Sequence, residues 1–159
     1  MAIHKLLVDD FEDSNYSLLA VHCEMEGYRL AYYLNKYLET RLARTKEDLD
    51  FITSLASFSV FKWSNKQLQT DWHLIKNSCL VEKAAVSQGL FSEINDKSWV
   101  IHSLLPEHHS VDYILKINNG GGFINEKQIL DKIQKIPKVS TAYSVDISQL
   151  KSKDHLIFN

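Results

Sequence analysis

The chain predicts an α+β fold: one domain, with a mostly antiparallel sheet of mixed strand order and about six to eight strands, carrying two main helices. Three observations carry this expectation. Short runs of aromatic and β-branched residues recur between polar turns, while only two segments show an apolar stripe at helical spacing. At 159 residues, 45% apolar and 11% aromatic, the chain is long and apolar enough for one real core.

The elements follow in order. Lys5 to Val8 predicts a short strand, Asp9 to Asn15 an acidic turn, and Tyr16 to Cys23 an almost wholly apolar strand central in the sheet; a hairpin would join the two strands. Gly27 to Glu39 predicts a helix, because Leu30, Ala31, Leu34, Tyr37 and Leu38 make one stripe, flanked by the pairs Tyr28/Tyr32 and Tyr33/Tyr37. Thr40 to Thr45 is expected as a strand and Lys46 to Asp50 as a turn. Phe58 to Trp63 and Asp71 to Leu80 predict two strands joined as a hairpin through Ser64 to Thr70. Glu82 to Ser98 is polar and mixed, which predicts a loop.

Trp99 to Leu105 and Val111 to Ile117 are strongly apolar runs, with Glu107 to Ser110 short and polar enough to be a hairpin loop between them. In the second run alternation places Val111, Tyr113, Leu115 and Ile117 on one face. The turn Asn118 to Gly122 leads into a helix with strong start signals: Asn125 as N-cap, Gln128 as its reciprocal partner, and Ile124 with Ile129 as a staple. Ile129, Leu130, Ile133 and Ile136 form the buried stripe and Pro137 ends the helix. Val139 to Ile147 and a terminal Leu156 to Phe158 are read as strands. Strand, helix, strand with short joins gives the C-terminal half a ferredoxin-like outline, also seen in ACT-type ligand sensors.

Composition excludes several classes. No run reaches the roughly 20 apolar residues of a membrane helix, and Met1 to Lys5 lacks a signal-peptide core, so a cytoplasmic location without membrane contact is expected, with Cys23 and Cys79 as reduced thiols. Net charge is −2, with 10 acidic and 6 basic residues over positions 1–50 against 4 acidic and 7 basic over 116–159. This mild polarity is not the dense basic stripe of a nucleic-acid binder, although Lys127, Lys132, Lys135, Lys138, Lys151 and Lys153 could form a modest basic surface.

Four constellations are candidates for chemistry. Pro106, Glu107, Val111, Asp112 and Tyr113 surround one of only two prolines; proline lacks an N–H and ends a strand, so the segment predicts a sheet corner in which Glu107 or Asp112 accepts backbone N–H groups, or else a contact surface for a partner. Gly120, Gly121 and Gly122 precede a helix N-terminus, where anions are favoured, yet no Lys-Ser or Lys-Thr follows; the expected role is a flexible turn, with a ligand turn as the alternative. Glu107, His108, His109 and Asp112, with His102, offer metal-ligating types, but adjacent histidines on an extended chain diverge. Cys23 or Cys79 with His22 or His73 offers a nucleophile and base, without a helix N-terminus or basic cluster to lower the thiol pKa. No metal, cofactor or catalytic residue is therefore expected.

The spacing of Pro106-Glu107, three free residues, and Val111-Asp112-Tyr113 resembles the signature of the bacterial IPExxxVDY family, with Leu105 in place of isoleucine. The similarity extends through Lys5 to Phe11, Tyr28 to Tyr32, Leu150 to Lys153 and Leu156 to Phe158. The resemblance implies no particular activity; it implies gene neighbourhoods that include ribonuclease III, acyl-carrier-protein enzymes and pyruvate kinase. The leading expectation is a non-enzymatic module that binds a protein partner. A small-ligand-sensing domain of ACT-like type and an RNA-linked accessory role are the alternatives.

Overall fold

A computed structural model of the chain describes residues 16–83 and 98–158. The expected strand Lys5 to Val8, its hairpin, and most of the loop Glu82 to Ser98 lie outside the described residues. The apolar run Tyr16–Cys23 forms β1, and its inner residues are buried on both faces, as its lack of alternation predicts. Helix α1, Gly27–Leu38, buries Leu30, Ala31 and Leu34. It ends at Glu39 in a left-handed conformation, where the Asn35 amide accepts from Thr40 and the Leu42 N–H and donates to the Leu42 carbonyl. Short strands β2 (Ala43–Arg44), β3 (Leu49–Phe51) and β4 (Ala56–Phe58) follow.

Next come β5 (Val60–Asn65), β6 (Thr70–Lys76), β7 (Ser78–Lys83), β8 (Ser98–Ser103) and β9 (Tyr113–Asn118). The chain closes with α2 (Glu126–Gln134), β10 (Val139–Ser144) and two single-turn 3₁₀ segments, Ile147–Gln149 and Lys153–Leu156. The main sheet runs β10-β1-β9-β6-β5-β2, with every neighbouring pair antiparallel. Taken as β1-α1-β6-β9-α2-β10, the four strands β10-β1-β9-β6 have the 4-1-3-2 order of a ferredoxin-like βαββαβ unit. β5 and β2 extend it at one edge, and β3–β4 and β7–β8 are separate two-stranded ribbons.

The sheet has two apolar faces. On one, Leu19, Val21, Leu74, Leu115 and Ile117 meet both helices, including Ile133 of α2, and Ile136 just beyond it. On the other, Leu18, Ala20, Ile75 and Ile114 meet Phe58, Leu104, Leu105, Val145, Leu150 and Leu156. The two ribbons and the C-terminal segment thus do for this face what the helices do for the first. Asn125 caps α2 as its sequence predicts, accepting from the Gln128 N–H at 3.1 Å.

Several expectations are corrected. Asp71 to Leu80 is not one strand: Asn77 breaks it, because its amide bonds to a different segment from the β6 ladder. Thr40 to Thr45 shortens to two strand residues, and Val139 to Ile147 stops as a strand at Ser144. Leu156 to Phe158 is no strand; Leu156 ends a 3₁₀ turn. Trp99 to Leu105 and Val111 to Ile117 do not form a hairpin, since β8 pairs with β7 while β9 lies between β1 and β6. Val111 precedes the strand and joins the second face, apart from Tyr113, Leu115 and Ile117.

Candidate functional site

The corner between β8 and β9 is a junction of chain segments remote in sequence. Pro106–His108 makes one 3₁₀ turn, which suits proline because its missing N–H would have had no partner there. Glu107 accepts the backbone N–H groups of Lys151 at 2.7 Å and Ser152 at 2.8 Å, plus the Ser152 hydroxyl at 2.5 Å. The Ser152 hydroxyl, with these backbone donors, pulls its carboxyl down to about 2. Asp112 accepts the Cys23 N–H at 2.9 Å, at the end of β1. The buried Tyr113 hydroxyl donates to the Met25 carbonyl at 2.7 Å, and burial is the first cause raising its pKa to about 12. Thus Glu107 holds the C-terminal segment and Asp112 and Tyr113 hold the turn after β1, while Val111 is core and Pro106 starts the 3₁₀ turn.

Asn77 completes the junction from inside. Fully buried, it donates to the carbonyls of His108 and Val111 and accepts from the Leu105 N–H, while its backbone bonds to Asp112 and Leu104. All three of its side-chain hydrogen bonds are directed at the signature loop. The sequence carried a signal for this residue: a polar amide in the middle of an apolar run.

From this junction the C-terminal segment crosses the second face of the sheet. Its His155 ring meets the Leu104 carbonyl at 2.7 Å, and the Lys116 ammonium donates to the Leu156 carbonyl at 2.7 Å. Lys116 also sits over the rings of Tyr16 and Phe158, at 4.7 and 4.6 Å. Phe158 packs edge-on against His73, with centroids 4.9 Å apart. Beside it opens a cleft of about 330 Å³, lined by residues 45–49, Val60, Lys62, His73 and Phe158. His73 is only 6% exposed, and neither ring nitrogen has a hydrogen-bond partner within the described protein. Burial, then the charges of Lys62 and Lys116, push its imidazole down to about 4.

A second surface lies on the β7–β8 ribbon. Its register pairs Leu80 with Ile101 and Glu82 with Trp99, so these four point away from the core. Leu80, Trp99 and Ile101 are 64%, 57% and 69% exposed. The inward side holds Cys79 and Val81 against the second cluster. Alternation across Trp99 to Leu105 could have revealed this face, but without a partner strand the sequence does not say which side is inward.

The remaining candidates do not converge. Gly120 and Gly121 take positive φ, the reason for glycine at both, and all three turn glycines are exposed; a side chain on Gly120 would press on Gln69 of the β5–β6 turn. Among the described residues no group of three or more His, Cys, Asp or Glu is placed to hold a metal. Cys23 belongs to the helix-side cluster and His73 to the opposite face, so they cannot act together. Lys127 on α2 and Lys135 at its C-cap lie across the sheet from Lys151 in the C-terminal segment, so these lysines do not share one face. Tyr28 and Tyr32 are exposed, while Tyr33 and Tyr37 pack against the core. No helix among the described residues is long and apolar enough to cross a membrane. Comparison with protein-family models, with curated proteins and with solved structures finds no match.

Proposed function

We propose that this protein is a non-enzymatic binding module that docks a protein partner on the outward face of the β7–β8 ribbon. The observation that supports this reading is the stack of Leu80, Trp99 and Ile101 on a ribbon whose other face is packed on the core. Single exposed apolar side chains are ordinary, but a contiguous group centred on a tryptophan is the usual mark of a contact surface. Two-stranded ribbons are marginal alone, and a partner surface over this face would complete their packing. The partner's complementary chemistry is an apolar protein surface. On this reading the signature residues Pro106, Glu107, Val111, Asp112 and Tyr113 build the scaffold, in keeping with their resemblance to the IPExxxVDY family. A cytoplasmic setting fits the same proposal.

The test places a photocrosslinking amino acid at Trp99 and, in parallel, the substitution Ile101→Lys. The proposal expects one discrete crosslinked partner in cells, lost on Ile101→Lys and kept on Tyr28→Ser, with unchanged melting of all variants. Equal crosslinking with Ile101→Lys would overturn it.

A second reading, a domain that binds a small ligand, is favoured by the unpartnered His73 ring in its cleft rather than by the glycine turn.

A further inference from the structure

The second face of the sheet changes character along its length. Near Ile75 and Ile114 it is apolar and fully covered. Two residues further along each strand it presents His73 and Lys116, with Asp71 and Asn118 beyond them. Lys62 on β5 stands opposite His73 in the register. Phe158 lies at this polar end, and its ring lines two spaces: the cleft of about 330 Å³ and a second one of about 300 Å³. Both are lined by Lys62, His73 and Phe158, and the second also by Lys116 and Asn118.

A neutral imidazole can donate one hydrogen bond and accept one. Leaving a buried polar group unpartnered is costly, and such groups are normally satisfied. A buried ring facing a cleft without a protein partner is therefore poised to meet something that enters the cleft. The other groups there are mainly donors: two ammonium groups, the imidazole N–H and the Asn118 amide. The charges facing the space are Lys62 from β5, Asp71 from β6, Lys116 from β9, and Lys46, Glu47 and Asp48 from the segment before β3; the C-terminal segment contributes the uncharged Phe158. Asp48 is already engaged by Arg44 and Ser57. Three lysines thus face two acids that have no such ion pair.

We infer that this cleft is a binding site for a small oxyanion, a carboxylate or phosphate group, held by the Lys62 and Lys116 ammonium groups and a ring nitrogen of His73. The anion would satisfy the orphaned imidazole and neutralise the lysines that flank it, in a setting partly screened from water where each contact counts for more. The ring of Phe158 lies beside the anion and would contact the apolar remainder of the ligand. This site is on the opposite surface from the helices and separate from the outward face of the β7–β8 ribbon, so it stands or falls independently of the docking reading.

The probes are inorganic phosphate and, separately, acetate, each titrated at constant ionic strength against chloride into the ¹⁵N-labelled full chain. Side-chain NMR follows all 7 histidine rings at once. The inference expects the His73 ring to shift saturably with at least one probe and its pKa to rise by about one unit or more when bound, because a bound anion favours the protonated ring. Phosphate alone indicates a phosphate-bearing ligand, and acetate alone a carboxylate. Lys62→Ala and Lys116→Ala should each weaken binding by about tenfold. Should either variant be unfolded, the milder Lys62→Gln or Lys116→Gln serves, with the same expected weakening. A His73 ring that neither probe moves beyond the chloride control overturns the inference, as does a shift that persists undiminished in both lysine variants.

Discussion

Glu107 takes both the backbone N–H of Ser152, at 2.8 Å, and the Ser152 hydroxyl, at 2.5 Å, across 45 residues of chain. This contact sets where the C-terminal segment leaves the corner, and from there His155, Leu156 and Phe158 reach their places over the sheet. Glu107→Gln should therefore loosen the segment as a unit while leaving the sheet intact. An expected loss of about 1–2 kcal/mol in denaturant unfolding would be accompanied by faster amide exchange from Lys151 onward. The carboxyl's pKa is lowered, so its contribution is present above the ordinary range near 4.5 and fades as pH falls toward 2. Glu107→Gln should remove that fading.

Asp112 and Tyr113 hold the end of β1 and the entry to α1. Asp112→Ala frees the Cys23 N–H and is expected to lower stability by about 1–2 kcal/mol. Tyr113→Phe orphans the buried Met25 carbonyl and should cost a similar amount, about 1–2 kcal/mol. Because both hydrogen bonds anchor the same turn, the double variant should lose less than the sum, which a double-mutant cycle measures.

His73 gives the protein a second pH dependence with a different range. Its folded pKa, about 4, lies below the ordinary 6.5, so the unfolded chain binds the extra proton first. Stability is fully present above about pH 6.5 and falls as pH drops toward 4, by on the order of 2–3 kcal/mol. His73→Leu should flatten the stability profile across that window in urea titrations, leaving the Glu107 contribution at lower pH. An unchanged slope would show that the ring does not stay neutral in the folded protein.

The core under α2 is the simplest test of packing. Ile133 is fully buried against the sheet, so Ile133→Ala opens a cavity at a cost of about 2–5 kcal/mol. Removing the chain from Leu156 onward takes Leu156 from the second cluster and the Phe158 ring from His73, and should lower the melting temperature clearly. An unchanged melting curve would mean that the segment contributes nothing to the second face.

Local signals carried most of the main sheet and both helices. The N-cap at Asn125, the stripe of Ile133 and Ile136, and the apolar run of β1 each depend on neighbours within a few residues, so their spacing reveals them. Pairing is different. Whether the run from Trp99 turns back onto Val111 or joins β7 depends on contacts between segments tens of residues apart, and the short polar link at Glu107 to Ser110 fits either outcome. The corner was legible as a corner. Its donors were not, because Lys151, Ser152 and Cys23 reach Glu107 and Asp112 only through the finished topology. The sequence offered His73 only as a candidate base beside a cysteine; the placement of Lys62, Lys116 and Phe158 around it is what marks its cleft.

The division of labour between corner and ribbon is tested most directly by measuring stability and partner crosslinking together on Asp112→Ala and Ile101→Lys. The account predicts a crossed result: Asp112→Ala melts earlier yet still captures the partner below its melting temperature, whereas Ile101→Lys melts as the parent does and captures nothing. The reverse pattern, capture lost with Asp112→Ala at unchanged stability and retained with Ile101→Lys, would make the signature the contact surface and contradict the account.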